Sequence, residues 1–334
     1  MKTIILNNTE YNILKIFPKS SQSECFLIEN DSGLKVLKLY RNEKNVKPKI
    51  KISEIRNIKK HENILYVFEF GFYNSSFYEI TEYCPGETLL EKIPITSIDD
   101  LKTIIYHINE ALYYCHSNGF LFLDIKPGNI FLKNKNFDSL VFGDFGSSDF
   151  FNIKSKYLIS ELCKYWYSPP ETHSKFHGLS LLESSFDYYT LGIMIIELIN
   201  GDNQLKYFDN STLLQLKLEQ KFDLSKITDL RLKTIILNLL KTKPSQRWLY
   251  EEVKNWCLDM TYNFEKPEQK EKKKLKHLKK EAIKKKNREI IEIEKNFNDQ
   301  YCFSKDAIQK KMISDEKNLR ISKIKQEIFE IEYN

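Results

Sequence analysis

The stretch FLFLDIKPGNIFL, residues 120–132, places three polar side chains inside an otherwise apolar run. Asp124 offers a carboxylate that can accept a proton, Lys126 a cation that can hold an anionic group, and Asn129 an amide oxygen that can ligate a metal ion. The intervening Pro-Gly pair is good turn chemistry, and a tight turn between two strands would explain the bend. A turn leaves unexplained the three polar residues, which can hold a proton, an anionic group and a metal ion.

A second motif, GDFGSS at residues 143–148, follows a pattern of two short strands joined by the polar turn KNKNFD. It adds the carboxylate of Asp144, fifteen residues after Asn129. Magnesium prefers hard oxygen ligands, which Asp144 and the side-chain oxygen of Asn129 would supply. These two residues are therefore the candidate metal ligands.

The order D-x-K-x-x-N and then D-F-G resembles the catalytic and metal-binding loops of eukaryotic protein kinases. The resemblance covers residues 11–260 and implies transfer of a phosphoryl group from ATP, with Mg²⁺, to a protein substrate. It makes Asp124 the catalytic base and Lys126 the cation over the transferring phosphate. The DIKPGN form of the loop favours serine and threonine as acceptors.

The resemblance also implies a nucleotide site. VLKLY resembles the third strand of the family and makes Lys38 the cation for the α and β phosphates. Its expected partner on the next helix is Glu54, which lies about two residues nearer His61 than the family pattern. EITEYCPGETL resembles the hinge, which gives Thr81 as gatekeeper, Glu82 and Cys84 for backbone hydrogen bonds to adenine, and Glu87 for the ribose.

The glycine-rich loop of the family is the largest departure. Aligning Cys25 with the family's valine puts Pro18, Ser20 and Ser23 at the glycine positions. Glycines let backbone amides approach phosphates closely, and proline also lacks a donor. Serine hydroxyls can still donate to phosphate, so Ser20, Ser23 and Cys25 are kept as ATP-binding candidates.

Two further departures concern regulation and substrate. Phe122-Leu123 stands in place of the family's His-Arg, and Cys163-Lys164 in place of Gly-Thr. The missing arginine normally reads a phosphate on the activation segment, so we expect activity that does not depend on that phosphate. The missing threonine removes a hydroxyl that bonds the catalytic aspartate and lysine in the family.

Three residues have structural roles by the same resemblance. Glu171 in YSPPE should pair with Arg247 in TKPSQRW. Asp187, near the start of FDYYTLGIMIIEL, should brace the catalytic loop.

These residues need a scaffold of two lobes. Residues 11–83 show alternating apolar runs separated by turn clusters, with one helical segment around KPKIKISEIRNIKK. After CPGET the apolar residues recur at helical spacing. We therefore expect an α+β, bilobal fold: a small antiparallel sheet with one helix at 11–83 and a mainly helical lobe at 84–260.

The tail at 265–334 differs in composition. It holds 20 Lys and Arg against 14 Asp and Glu, so the net charge of +6 of the whole chain lies there. Its lysine-rich start suits a solvated helix or a partly disordered segment. A stripe of isoleucines could pack on a partner helix, as a short coiled coil, or dock on the body of the chain; these are Ile321, Ile324, Ile328 and Ile331.

The location is expected to be intracellular and, more specifically, cytoplasmic. The N-terminal apolar run is too short for a secretory signal. The most apolar stretch, LGIMIIELI, has nine residues, includes Glu197 and cannot span a bilayer. Six cysteines without a C-x-x-C pair suit reduced thiols.

Three functions follow as hypotheses. The first is a serine/threonine protein kinase, because Lys38, Asp124, Asn129 and Asp144 are all present. The second is a pseudokinase or scaffold, which the loop without glycines would favour. The third is a basic tail that binds RNA or an anionic membrane, although no specific nucleic-acid motif is present.

Overall fold

The computed structural model describes residues 2–18, 23–41, 46–150, 164–172, 183–259, 279, 282–296 and 307–333. The chain forms two compact units, Met1–Tyr262 and Asn263–Asn334. The predictions for Ser20, for Cys163 and for most of the lysine-rich start of the tail lie outside these ranges. No helix within them has both the length and the apolar character needed to cross a membrane.

A six-stranded antiparallel sheet, in the order β1-β2-β3-β4-β6-β5, forms the first lobe of the larger unit. One face of the sheet packs in a core that includes Ile28, Leu37 and Ile80. The strands are β1 Lys2–Leu6, β2 Thr9–Ile16, β3 Ser23–Asn30, β4 Gly33–Tyr40, β5 Val67–Tyr73 and β6 Ser76–Glu82.

Strand β1 lies before residue 11, where we expected the lobe to begin. Leu6 pairs with Thr9, and the two residues between them, Asn7 and Asn8, have φ values of 42° and 65°. Two successive left-handed residues are characteristic of the tight hairpin turn that matches strand twist, and asparagine tolerates this conformation well. The Asn-Asn pair thus adds one more strand to the sheet.

Helix α1, Val46–Ile58, follows β4. Its buried side chains are Ile52, Ser53 and Arg56, so these residues define its inner face. Glu54 lies outside this face, with a side chain that is 47% exposed. The phase of the helix therefore directs Glu54 away from the core.

The second lobe is mainly helical. Helix α2, Ile98–Ser117, begins after Ser97, whose hydroxyl accepts from Asp100 N at 3.2 Å. Helix α3, Ser184–Asn200, is buried along most of its length. The lobe also contains α4 Asn210–Leu218, α5 Leu230–Leu239 and α6 Tyr250–Cys257. This arrangement of a sheet lobe and a helical lobe confirms the α+β, bilobal prediction.

Two short strand pairs hold the loops that carry the polar motifs. Strand β7, Phe120–Leu121, pairs with β10, Asp149–Phe150. Strand β8, Ile130–Leu132, pairs with β9, Leu140–Phe142. The DIKPGN loop therefore runs from β7 to β8, and the D-F-G segment runs from β9 to β10.

The smaller unit contains two helices in its described residues, α7 at 282–296 and α8 at Ala307–Tyr333. Lys286 Nζ lies 2.6 Å from Glu327 Oε2, so the two helices contact each other at this point. Ile321 and Ile324 of the predicted stripe are buried.

Candidate active site

Asp187 of α3 holds the loop that carries Asp124 in place. Asp187 is fully buried; its Oδ2 accepts from Phe122 N at 3.0 Å and its Oδ1 from Leu123 N at 2.9 Å. Leu123 has φ 67°, a left-handed conformation that non-glycine residues rarely adopt. The two bonds from Asp187 stabilise this strained backbone immediately before Asp124.

Asp124, Lys126 and Asn129 form one hydrogen-bonded group. Lys126 Nζ lies 2.6 Å from Asp124 Oδ2. Asn129 Nδ2 donates to the same oxygen and to the Asp124 backbone carbonyl, each at 2.8 Å. Both side-chain bonds reach Oδ2, so Oδ1 is the oxygen with which Asp124 can accept a proton.

Asp144 lies at the end of β9, beside Asn129. Gly143 N donates to Asn129 O at 3.0 Å, which joins the two loops. Asp144 Oδ1 accepts from Gly146 N at 3.2 Å and contacts the Nζ of Lys38. The contact with Lys38 brings together the sheet lobe and the helical lobe at one charged pair.

A magnesium ion fits this donor set. The described residues contain no cluster of three or more His, Cys, Asp and Glu side chains. Magnesium is usually bound through one or two protein oxygens, with water and substrate phosphates as its other ligands. The Asp144 carboxylate and the Asn129 amide oxygen provide two such ligands on adjacent loops.

The charged pair shifts both of its pKa values. Burial alone would lower the pKa of Lys38, but the Asp144 carboxylate outweighs burial and the pKa is raised. Burial would likewise raise the pKa of Asp144, and the neighbouring Lys38 ammonium lowers it instead. Both shifts favour the charged forms of Lys38 and Asp144 at neutral pH.

A cavity of about 720 Å³ opens between the sheet and the helical lobe. Lys38 and Asp144 lie on its wall, as do Arg56, Glu79 and Thr81. Its volume is in the range that small-molecule sites occupy. Of the other nucleotide-binding candidates, the cavity is lined by Ser23, Cys25, Glu82, Cys84 and Glu87.

Two acids of the hinge segment are held by lysines. Glu82 Oε1 accepts from Tyr66 N at 2.8 Å, and its Oε2 lies 3.1 Å from Lys133 Nζ. Glu87 Oε2 lies 2.7 Å from Lys92 Nζ at the outer rim. These contacts hold both side chains in place at the cavity wall.

The expectation that Glu54 would pair with Lys38 is not met. Glu54 Oε2 lies 3.3 Å from Lys51 Nζ, one turn away on the outer face of α1. The acid that sequence reasoning missed is Glu79 of β6, which lies directly opposite Lys38 in the register of β4 and β6. An isolated glutamate between apolar strand residues gave no signal of burial, and only strand register places it beside Lys38.

The residue that replaces the family's histidine serves as packing. Phe122 is fully buried, and its ring lies 5.1 Å from the ring of Phe145 and 4.5 Å from that of Phe142. Ser148 Oγ donates to Phe122 O at 3.1 Å. The aromatic cluster thus supports the catalytic loop and the D-F-G segment together.

Glu171 and Arg247 form a two-bond ion pair. Arg247 Nη1 lies 2.6 Å from Glu171 Oε1, and Nη2 lies 2.7 Å from Oε2. The guanidinium, which is fully buried, also donates to the carbonyls of Lys241 and Ser185. This pair joins the segment after the D-F-G loop to the body of the helical lobe.

Comparison with known proteins gives the class to which this fold and site belong. The family model described as "Protein kinase domain" matches residues 23–257. The chain belongs to the protein kinase family, within the eukaryotic protein kinase superfamily that its motifs indicated.

Several curated kinases are similar in sequence. The chain is 34% identical over 159 residues to Cyclin-dependent kinase-like 1 of Caenorhabditis elegans, covering 46% of this chain and 43% of that protein. It is 29% identical over 177 residues to Cyclin-dependent kinase 2 of the same organism, covering 51% and 46%. It is 31% identical over 160 residues to CTD kinase subunit alpha of Schizosaccharomyces pombe, covering 45% and 26%. The match thus spans less than half the length of each of these relatives.

Proposed function

We propose that the chain is a serine/threonine protein kinase that transfers the γ-phosphate of ATP to protein hydroxyl groups. The observation that carries the proposal is the meeting of Lys38 with Asp144 at the wall of the 720 Å³ cavity, beside the bonded group of Asp124, Lys126 and Asn129. Phosphoryl transfer requires positioning and charge neutralisation, and this site supplies both.

Each residue has a proposed task. Asp124 accepts the proton of the substrate hydroxyl through Oδ1, while Lys126 and Asn129 hold Oδ2 in place. Lys126 also places its charge over the transferring phosphate. Lys38 binds the α and β phosphates, and its Asp144 partner keeps it protonated.

Asn129 and Asp144 would hold Mg²⁺, which, when bound, neutralises charge on the β and γ phosphates. Ser23, Cys25 and the backbone of Glu82 and Cys84 would enclose the nucleotide, with Glu87 at the ribose. Ser20 has the same proposed role and lies outside the described residues.

Serine/threonine specificity is supported by the DIKPGN form of the catalytic loop. A cytoplasmic location is supported by the four described cysteines, Cys25, Cys84, Cys115 and Cys257, which are all free thiols. Through its tail, the chain could also bind a partner helix or an anionic surface.

The experiment is a turnover assay of the full chain with MgATP and a generic Ser/Thr substrate. Asp144→Ala should abolish turnover in a chain that still folds, because it removes a metal ligand. Asp138→Ala is the matched control, since Asp138 is an exposed aspartate in the turn before β9 and should leave turnover unchanged. Equal turnover in wild type and Asp144→Ala would contradict the proposal.

A catalytically weak scaffold is the second candidate. Pro18 lines the cavity where the family has a glycine, and proline offers no amide donor to a phosphate. A wild-type chain that folds and binds a fluorescent ATP analogue, yet gives no product, would select this candidate.

A further inference from the structure

Glu79 is a buried acid in the middle of β6, and its side chain is only 5% exposed. In the antiparallel pairing of β4 with β6, Glu79 lies directly opposite Lys38. Directly opposed residues of neighbouring strands project to the same face with Cβ atoms about 5 Å apart. The sheet itself therefore places a carboxylate beside the lysine that faces the cavity.

The same carboxylate binds helix α1 at two points. Arg56 Nη1 lies 3.0 Å from Glu79 Oε1, and Ser53 Oγ donates to that oxygen at 2.5 Å. Both residues belong to the buried face of α1. On the sheet side, Tyr40 Oη donates to Glu79 Oε2 at 3.0 Å. Glu79 therefore joins β4, β6 and α1 through a single carboxylate.

Arg56 extends the network to the D-F-G segment. Its Nη2 donates to Leu65 O at 2.9 Å, and its guanidinium carbon lies 4.1 Å from the centre of the Phe145 ring. A cation over an aromatic face is attracted to it, more strongly when water is excluded. The position of α1 is thus coupled to the position of the residue that follows Asp144.

Lys38 lies between two acids from different lobes. Asp144 contacts it from the helical lobe, and Glu79 adds a second negative charge from the sheet. The Nζ of Lys38 also lies 4.8 Å from the centre of the Tyr40 ring, and Tyr40 is itself bonded to Glu79. If Asp144 were to ligate a metal ion, Glu79 would be the acid left beside Lys38.

We propose that Glu79 is the positioning residue for Lys38 and, through Arg56 and Ser53, the anchor that holds α1 against the sheet. Glu54 takes no part, because it lies on the opposite face of α1. The proposal rests on the proposed kinase function, since Lys38 is placed for ATP. The proposal replaces the expected acid partner of Lys38, Glu54 on α1, with Glu79 on β6.

The test separates positioning from simple stabilisation by using three variants of the full chain. Glu79→Gln leaves Arg56 as a buried charge without its acid and should lower the melting temperature. Glu79→Gln combined with Arg56→Met removes both charges and should recover most of the melting temperature, because a neutral pair of similar size avoids the unpaired charge. Glu69→Gln is the matched control: Glu69 is a half-buried strand glutamate bonded to a tyrosine hydroxyl, outside the cavity wall.

The kinetic readout is KM for MgATP against kcat. We expect Glu79→Gln and the double variant both to raise KM by about tenfold with a smaller change in kcat, because nucleotide binding loses a positioned cation. Glu69→Gln should match wild type in both constants. A double variant that recovers KM together with its melting temperature would show a merely structural role for Glu79 and overturn the proposal.

A second readout does not depend on phosphoryl transfer. Acetylation of Lys38 by acetic anhydride, followed by mass spectrometry, reports how firmly its amine is held. Glu79→Gln removes one of the two acids beside Lys38 and leaves Arg56 in place, so acetylation should be several-fold faster in this variant than in wild type. The titratable or charged groups that face Lys38 are Cys25 of β3, Tyr40 of β4, Glu79 of β6, Asp144 of the helical lobe and Arg56 of α1.

The two readouts distinguish the two possible failures. A wild-type chain without turnover in which Lys38 acetylation still responds to Glu79 refutes the kinase proposal and supports the placement of Glu79. A wild-type chain with turnover in which neither KM nor acetylation responds refutes the role of Glu79. A rise in KM in Glu54→Gln without one in Glu79→Gln would also overturn it.

Discussion

At the scale of single residues, the site depends on buried charges with specific partners. Asp187 illustrates this dependence, because it never faces the cavity and yet accepts the two backbone N–H groups that precede Asp124. Its neighbour His116 Nε2 lies 2.9 Å from Oδ2. The loop geometry is thus set by a side chain that does not touch the reacting atoms.

Replacing Asp187 with asparagine tests this arrangement. One carboxylate oxygen becomes an NH₂ group, which is a donor only. The side chain can then accept from Phe122 N or from Leu123 N, but not from both. The backbone before Asp124 should relax, and kcat should fall on the order of 10²-fold because the reacting groups are misplaced. Steady-state kinetics measures the change, and a kcat equal to wild type at an unchanged KM would contradict it.

Cys84 supports a prediction about reactivity. Burial, followed by the nearby Glu82 carboxylate, raises the pKa of its thiol to about 12. Only the thiolate reacts with iodoacetamide, so at pH 8 alkylation should be roughly 10³-fold slower than in the urea-unfolded chain. Peptide mass spectrometry of the native and unfolded chains measures both rates, and similar rates would disprove the assigned environment.

At the scale of elements, long-range pairs decide which segments stay together. The Glu171–Arg247 pair joins the turn at Pro170–Thr172 to the end of the helical lobe. Arg247 is fully buried and Glu171 is 21% exposed. Loss of the acid would therefore leave a charge with little access to water.

Glu171→Gln should accordingly lower the free energy of unfolding by about 2 kcal/mol, somewhat less than for a completely buried pair because Glu171 is partly exposed. Urea unfolding measures the change. The control is Glu219→Gln, which breaks the exposed pair with Lys221 and should change stability by less than about 0.5 kcal/mol. Equal effects of the two substitutions would refute the argument.

The sequence predicted what depends on local spacing. Asp124, Asn129 and Asp144 lie in short loops between strands that are consecutive in the chain, and the structure brings them to one place. The partner of Lys38 depends instead on helix phase and strand register. Spacing alone could not show that Glu54 faces outward or that Glu79 faces inward.

Strand β1 is a different kind of omission. The turn signal, Asn7-Asn8, was present in the sequence, but an asparagine pair is a weaker signal than Asn-Gly. The alternating burial of Ile4 and Leu6 becomes informative only once the strand has a partner. The register with β2 supplies that partner.

At the scale of the whole molecule, the candidate active site is built from residues of the larger unit, Met1–Tyr262, whereas the excess basic charge lies in the tail. A chain truncated after Asp259 retains every residue with a proposed catalytic role. We expect its kcat and KM for MgATP to lie within about twofold of the full chain, because losing a region outside the site leaves transition-state stabilisation unchanged.

The truncation also tests the tail hypothesis. Retention on RNA filters or anionic vesicles should fall in the truncated chain if the basic tail binds either one. A truncated chain with much lower turnover, at an unchanged melting temperature, would show that the tail takes part in catalysis.

The acid on β6 has a consequence for inhibitor design. A compound that fits the cavity in its present shape requires no rearrangement of the protein. A compound that requires α1 to move away from the sheet must first separate Arg56 of α1 from Glu79 of β6. That separation leaves the buried charges of Arg56 and Glu79 unpaired. The free energy it costs is subtracted from the binding free energy of the compound. Ligands for this cavity should therefore be sought among those that leave α1 in its present position.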